Sequence, residues 1–270
     1  MSTNSNESSE SDCESVEEPT PCDPKEIGQQ FLDFYNFLTT LHFDKNDLKV
    51  PPPNGWPNLI PESCAHFKAD HTIEVLRHLP YFDRQTRVNI HVESTLLDYT
   101  AFTREQFEGA VELYENDNEY WGLEGEVNPK HVFCIAVGVG SGSRHLLLNA
   151  RDGEIIQDQI GVYQDNRVIQ EYFDSLKGMY QRLELIGLPN RPVIDTWGVP
   201  EPDRIISLEE VCDETDYFPT ALDKQYLRQL FREHGWPDAF RKDEAAKAVD
   251  DMIDAIRQAG KRRANWMYSY

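Results

Sequence analysis

The stretch from Lys130 to Ile160 concentrates the residue types that could do chemistry. Its glycine-rich run, Gly138-Val139-Gly140-Ser141-Gly142-Ser143, has the composition of a loop that cradles phosphate. Such a loop works by opening a helix, whose first amides hold the anion. Here the run is followed by Arg144-His145-Leu146-Leu147-Leu148-Asn149, then Asp152-Gly153, then Glu154-Ile155-Ile156. Asp-Gly between two short apolar runs is a hairpin signal. The glycine run is therefore expected to be a turn within three antiparallel strands, not a nucleotide site.

Cys134 and His145 fall on adjacent predicted strands. A thiol and an imidazole within reach of each other can serve as nucleophile and base. Strand register decides whether they meet, and the sequence leaves register open. Metal chemistry finds less support. His66 and His71 are five residues apart across a predicted helix boundary, a poor spacing for joint ligation. The acidic run from Glu115 to Glu126 lacks the ligand order of a calcium loop and reads as solvated charge. The five cysteines, Cys13, Cys22, Cys64, Cys134 and Cys212, contain no close pair with metal-ligand spacing. No catalytic residue, metal ligand or cofactor is assigned. The candidates for an interaction surface or pocket are Trp56, His78, Tyr81, His91 and Trp236. Trp56 and Trp236 precede prolines; with Trp121, Trp197 and Trp266 they would anchor irregular chain against the sheet or form an aromatic groove that recognises a partner. His78 sits before Pro80, where a turn could expose it or a helix end could hold it in a structural hydrogen bond.

The elements that would position these residues follow from periodicity. Ile27, Phe31, Phe34, Leu38 and Leu41 line one helical face. Asp70 is expected to cap a helix carrying Ile73, Leu76 and Leu79, ended by Pro80. Val88, Ile90 and Val92 alternate with Arg87, Asn89, His91 and Glu93, so the expected strand has one buried and one wet face, with His91 on the wet one. Thr103 to Gln106 is a capping box opening a helix with Phe107. A long helix should carry Val168, Tyr172, Leu176, Met179 and Leu183, closed by Gly187 and Pro189. Ser207 to Glu210 and Thr220 start further helices, and a last one runs from about Asp238 to Ala259.

The expected architecture is α+β: a small, largely antiparallel sheet covered by helices, with a helical C-terminal lobe. Residues 1–24 are expected to be a disordered acidic tail, 25–188 an α+β domain, 189–206 a Pro-rich linker or wrapping segment, and 207–270 the helical lobe. Within the tail, Ser9, Ser11 and Ser15 each precede an acidic residue by three, the spacing an acidophilic kinase reads.

The chain of 270 residues has a net charge of -22. That charge argues against nucleic acid or an anionic membrane as partner, since both need positive potential. No window approaches a membrane span and the start lacks an apolar signal core. With an odd cysteine count, this points to the cytoplasm, with the nucleus the other option, and to a protein partner.

Three segments, Gly55-Trp56-Pro57-Asn58-Leu59-Ile60-Pro61-Glu62, Leu76-Arg77-His78-Leu79-Pro80-Tyr81, and Tyr226-Leu227-Arg228 through His234-Gly235-Trp236-Pro237, resemble a family of uncharacterised filamentous-fungal proteins. The resemblance covers about residues 50 to 260 and implies no established activity. The Asp152-Gly153 hairpin, followed by Glu171-Tyr172-Phe173, is faintly similar to the SUKH superfamily, which implies protein binding. Two functions follow. One is a non-enzymatic binding or regulatory protein. The other is an enzyme or accessory protein of a fungal biosynthetic pathway, with a pocket between the sheet and the C-terminal lobe.

Overall fold

A computed structural model describes residues 20–64, 68–114, 128–138, 143–159, 163–188 and 191–261. Most of the acidic tail, the run from Glu115 to Glu126, the centre of the glycine-rich loop, His66, Trp121, Pro189 and Trp266 lie outside them.

The first helix, α1, spans Pro24–Leu41. Asp23 caps it by accepting from the Lys25 amide at 2.8 Å, and Pro24 supplies the preset φ of a first helical residue. The Cys22 amide donates to the Arg151 carbonyl at 3.0 Å. Residues 20–24 therefore belong to the fold, and the tail expected over 1–24 is too long at that end. After a short strand β1, Leu48–Lys49, the chain forms α2, Asp70–His78. Asp70 is not its cap: Ala69 holds that position without a side-chain bond, and Asp70 is the first helical residue, where its charge still favours the helix dipole. β2, Tyr81–Phe82, pairs with β1.

The main sheet has six antiparallel strands in simple sequence order. They are β3 Asn89–His91, β4 Ser94–Leu96, β5 Val132–Gly138, β6 Arg144–Asn149, β7 Glu154–Gln159 and β8 Tyr163–Val168. Between β4 and β5 comes α3, Arg104–Tyr114, opened by the expected Thr103 and Gln106 box, with reciprocal bonds of 3.3 and 2.9 Å. The glycine-rich run connects β5 to β6, so a strand follows it. Gly153, at φ 68°, turns β6 into β7. The strand expected over 87–93 is shorter, because Val92 and Glu93 turn the chain back into β4, with Glu93 at φ 48°.

The expected wet face is corrected by burial. On one face Ile90, Ala136, Leu146, Leu148 and Ile155 join the main core with α1 and α4. On the other, Val132, Cys134, Leu147 and Ile156 form a second buried cluster. Helix α4, Ile169–Gln181, follows β8 directly, and its Phe173 stacks on Phe34 of α1 with centroids 4.3 Å apart. Arg182 ends α4, five residues before Gly187, and Leu183 turns the chain at φ 56°. Gly187 instead permits a close approach. A Cβ there would lie 1.8 Å from Cε1 of His42.

Beyond α4, β9 Leu185–Ile186 pairs with β10 Ile194–Asp195. Then come α5 Leu208–Asp213, α6 Ala221–Glu233 and α7 Lys242–Ala259. α5 and α6 open with complete capping boxes, Ser207 with Glu210 and Thr220 with Asp223. These helices bury their own core of Val211, Leu227, Phe231, Val249, Met252 and Ile256. Trp236 borders both cores and donates from Nε1 to the Gln181 carbonyl at 2.9 Å. The molecule is thus α+β, and no helix among the described residues is long and apolar enough to cross a membrane.

Candidate interaction surface

Of the predicted site residues, the structure brings Trp56 and Tyr81 together. Trp56 donates from Nε1 to the Leu79 carbonyl at 2.8 Å and lies 6.3 Å, centroid to centroid, from Tyr81. Tyr81 is buried, donates to the Leu76 carbonyl at 2.8 Å, and burial pushes its phenol well above the ordinary range. His78 is buried with Nδ1 2.9 Å from the Glu74 carbonyl one turn back. It also lines a cleft of about 260 Å³ between α1 and Pro51-Pro52-Pro53. Trp236 lies beyond α6, at the junction of the two cores.

His91 is the largest departure. A bulge between Asn89 and His91 breaks the strict alternation, and the residue is 3% exposed. Its Nδ1 accepts from the Val92 amide at 2.7 Å, and Arg144 Nε stands 3.0 to 3.1 Å from both ring nitrogens. Burial, then the Arg144 charge, lowers its pKa to about 3, so the ring is neutral. It is part of a buried polar network, not of a solvent-facing strand surface.

Register separates the suspected nucleophile and base. Cys134 is paired with Leu147, and His145 with Asp158 on the next strand. Cys134 Sγ points to the Ala136 carbonyl at 3.3 Å, while His145 Nδ1 accepts from the Gly138 amide at 3.3 Å. Among the described residues no group of three or more His, Cys, Asp or Glu could hold a metal ion.

A second cleft, of about 360 Å³, lies between the end of α1 and the start of α7. His42, Phe43, Asp44, Lys242, Asp243 and Ala246 line it. Lys242 donates to the Thr39 and Phe43 carbonyls at 3.3 and 3.5 Å, bridging the two helices. His42 is half-buried as a residue, yet its Nε2 has no contact with solvent and no hydrogen-bond partner. Burial and then Lys242 lower its pKa to about 3.

The Pro-rich segment after β10 forms the most distinctive surface. Gln225, Arg228, Gln229 and Arg232 recur at helical spacing along α6, so they share one face. Arg228, 4% exposed, donates to the carbonyls of Leu183, Thr196 and Val199 at 3.2, 2.9 and 2.7 Å, and to Thr196 Oγ1 at 2.7 Å. Gln225 holds the Pro200 carbonyl, Gln229 both the amide and the carbonyl of Ile206, and Arg232 the Glu201 carboxylate. Residues 196–206 are thereby strapped across α6. The strap leaves Trp197 75% and Ile205 83% exposed, and Tyr217, just before α6, 69% exposed. Thr196 is bound to Arg228 and Ile206 to its neighbour Gln229, so one turn of α6 holds both ends of the strap that carries Trp197 and Ile205.

Sequence reasoning placed Trp197 among aromatic anchors and did not single out Ile205 or Tyr217. The available signal was large apolar residues set among prolines and carboxylates, with no helical or strand period to bury them. No family model, curated protein or solved structure matches the chain.

Proposed function

We propose that this is a non-enzymatic protein-binding or regulatory protein. The observation that carries the reading is the exposure of Trp197 and Ile205 on a segment that the buried Arg228 and its neighbour Gln229 hold to α6. Large apolar side chains held in water on an ordered frame mark interaction sites, and tryptophan and tyrosine are enriched among the residues that dominate binding energy. Prior ordering of the frame spares the entropy that binding would otherwise cost. A protein partner in the cytoplasm or nucleus suits the charge and the resemblance to a fungal family and to the SUKH superfamily.

The test is quantitative capture of partners from a fungal lysate with the wild type and with Trp197→Ala/Ile205→Asp. The expected result is loss of a discrete set of proteins in the double variant, with the thermal midpoint unchanged. An identical set from both proteins would reject the reading.

The cleft between α1 and α7 favours a second reading, a small-molecule site of an enzyme or accessory protein at the junction with the C-terminal helices. It contains none of His78, His91 or His145, so its chemistry would rest on His42 and Lys242.

A further inference from the structure

Residues 195–217 hold eight carboxylates and a single basic side chain, Arg204. Glu201 is engaged by Arg232 and Arg228, Glu210 by Arg204, and Asp213 by Lys261. Asp203, Glu209, Glu214 and Asp216 enter no ion pair among the described residues. The exposed Ile205, Leu208 and Tyr217 lie among them in the same stretch of chain. Fixed like charges at this density set a negative local potential that repels nucleic acid and anionic lipid. An acidic or uncharged partner would bury the apolar side chains while leaving these carboxylates uncompensated, at a cost in desolvation.

We infer that this surface takes an amphipathic segment of a partner protein, with apolar side chains covering Trp197 and Ile205 and Lys or Arg facing Asp203, Glu209, Glu214 and Asp216. The inference rests on the binding reading above and adds the partner's chemistry. Such a segment would gain encounter rate and orientation from its charges and affinity from its apolar anchors.

A labelled amphipathic peptide, with Leu and Phe on one helical face and Lys and Arg on the other, serves as the probe. Its twin carries Glu in place of every Lys and Arg. Fluorescence anisotropy on the full chain should show saturable binding of the basic peptide, about tenfold weaker or more for the twin. Trp197→Ala and Ile205→Asp should each weaken it by a similar factor, while Asp33→Lys, on the outer face of α1, should not. Equal binding of the twin, or binding unchanged by Trp197→Ala, overturns the inference. An equal loss in Asp33→Lys does so too, because it would mean diffuse attraction to net charge. A concentration-dependent dimer in sedimentation, abolished by Trp197→Ala, would make a second copy the occupant. Peptide binding only after deletion of residues 262–270, a sequence itself basic and aromatic, would make the chain's own segment the occupant; either overturns assignment to a partner. Partner capture that needs Trp197 while no basic peptide binds would overturn the charge chemistry alone. Capture independent of Trp197 would overturn both readings.

Discussion

His91 and His42 are neutral because their rings have lost water, and that ties them to stability. Each has a folded pKa of about 3 against an ordinary value of 6.5. Between those values the unfolded chain binds protons that the folded chain does not. Stability is therefore full above pH 6.5 and falls as pH drops toward 3. The interval from 6.5 to 5 lies above most carboxylates, so histidines should dominate it. Urea midpoints should decline across that interval, and the decline should flatten in His42→Gln/His91→Gln. A slope unchanged in that variant would contradict the account. Substitutions at the neighbouring strand positions follow from the same packing. Ile90→Ala should cost about 2–5 kcal/mol, as a buried large-to-small change. His91→Ala should cost about 1–3 kcal/mol, since it strands the Val92 amide and removes the Arg144 contact. Urea denaturation of both variants measures this, and a neutral His91→Ala would return the ring to the wet face. Gly187→Ala should cost about 1–3 kcal/mol, because the new Cβ would meet the His42 ring.

At the scale of elements, Arg228 couples the end of α4, the strap and α6. Arg228→Met keeps the aliphatic stem but leaves the Leu183, Thr196 and Val199 carbonyls without that donor. A loss of about 2 kcal/mol or more is expected, since bonds to a charged donor are worth roughly 1.5–3 kcal/mol each and leaving buried acceptors unpaired adds to that. Hydrogen exchange should rise in residues 196–206 before it rises in the sheet. Uniform exchange across both regions would mean that Arg228 does not hold the strap separately. Elements defined by local pattern were legible: the α1 stripe, the capping boxes at Thr103 and Ser207, the cap at Thr220, and the Asp152-Gly153 turn. What escaped was set by distant partners. β8, Tyr-Gln-Asp-Asn-Arg-Val, has no apolar alternation and is a strand because β7 supplies its hydrogen bonds. α4 stops at Arg182 because Leu183 turns left-handed, and its carbonyl is then held by Thr196 and Arg228. His91 moved from wet to buried through a bulge, and bulges leave no mark in periodicity. The exposure of Trp197 depends on Arg228, 31 residues further along the chain, which no local window contains.

For the whole molecule, two cores meet at Trp236, and the acidic, apolar surface belongs to the smaller one. The main core supplies the rigid sheet and helices, and α6 carries the strap that presents Trp197 and Ile205. The central claim is that this presentation exists to bind a protein. Site-specific photo-crosslinking in the native cell tests it most directly. A benzoylphenylalanine at position 205 should give one or a few discrete crosslinked proteins, lost when Trp197→Ala is added. The same group at position 33, on the exposed side of α1, should give only a faint and heterogeneous background. Discrete products from position 33 and none from position 205 would contradict the account.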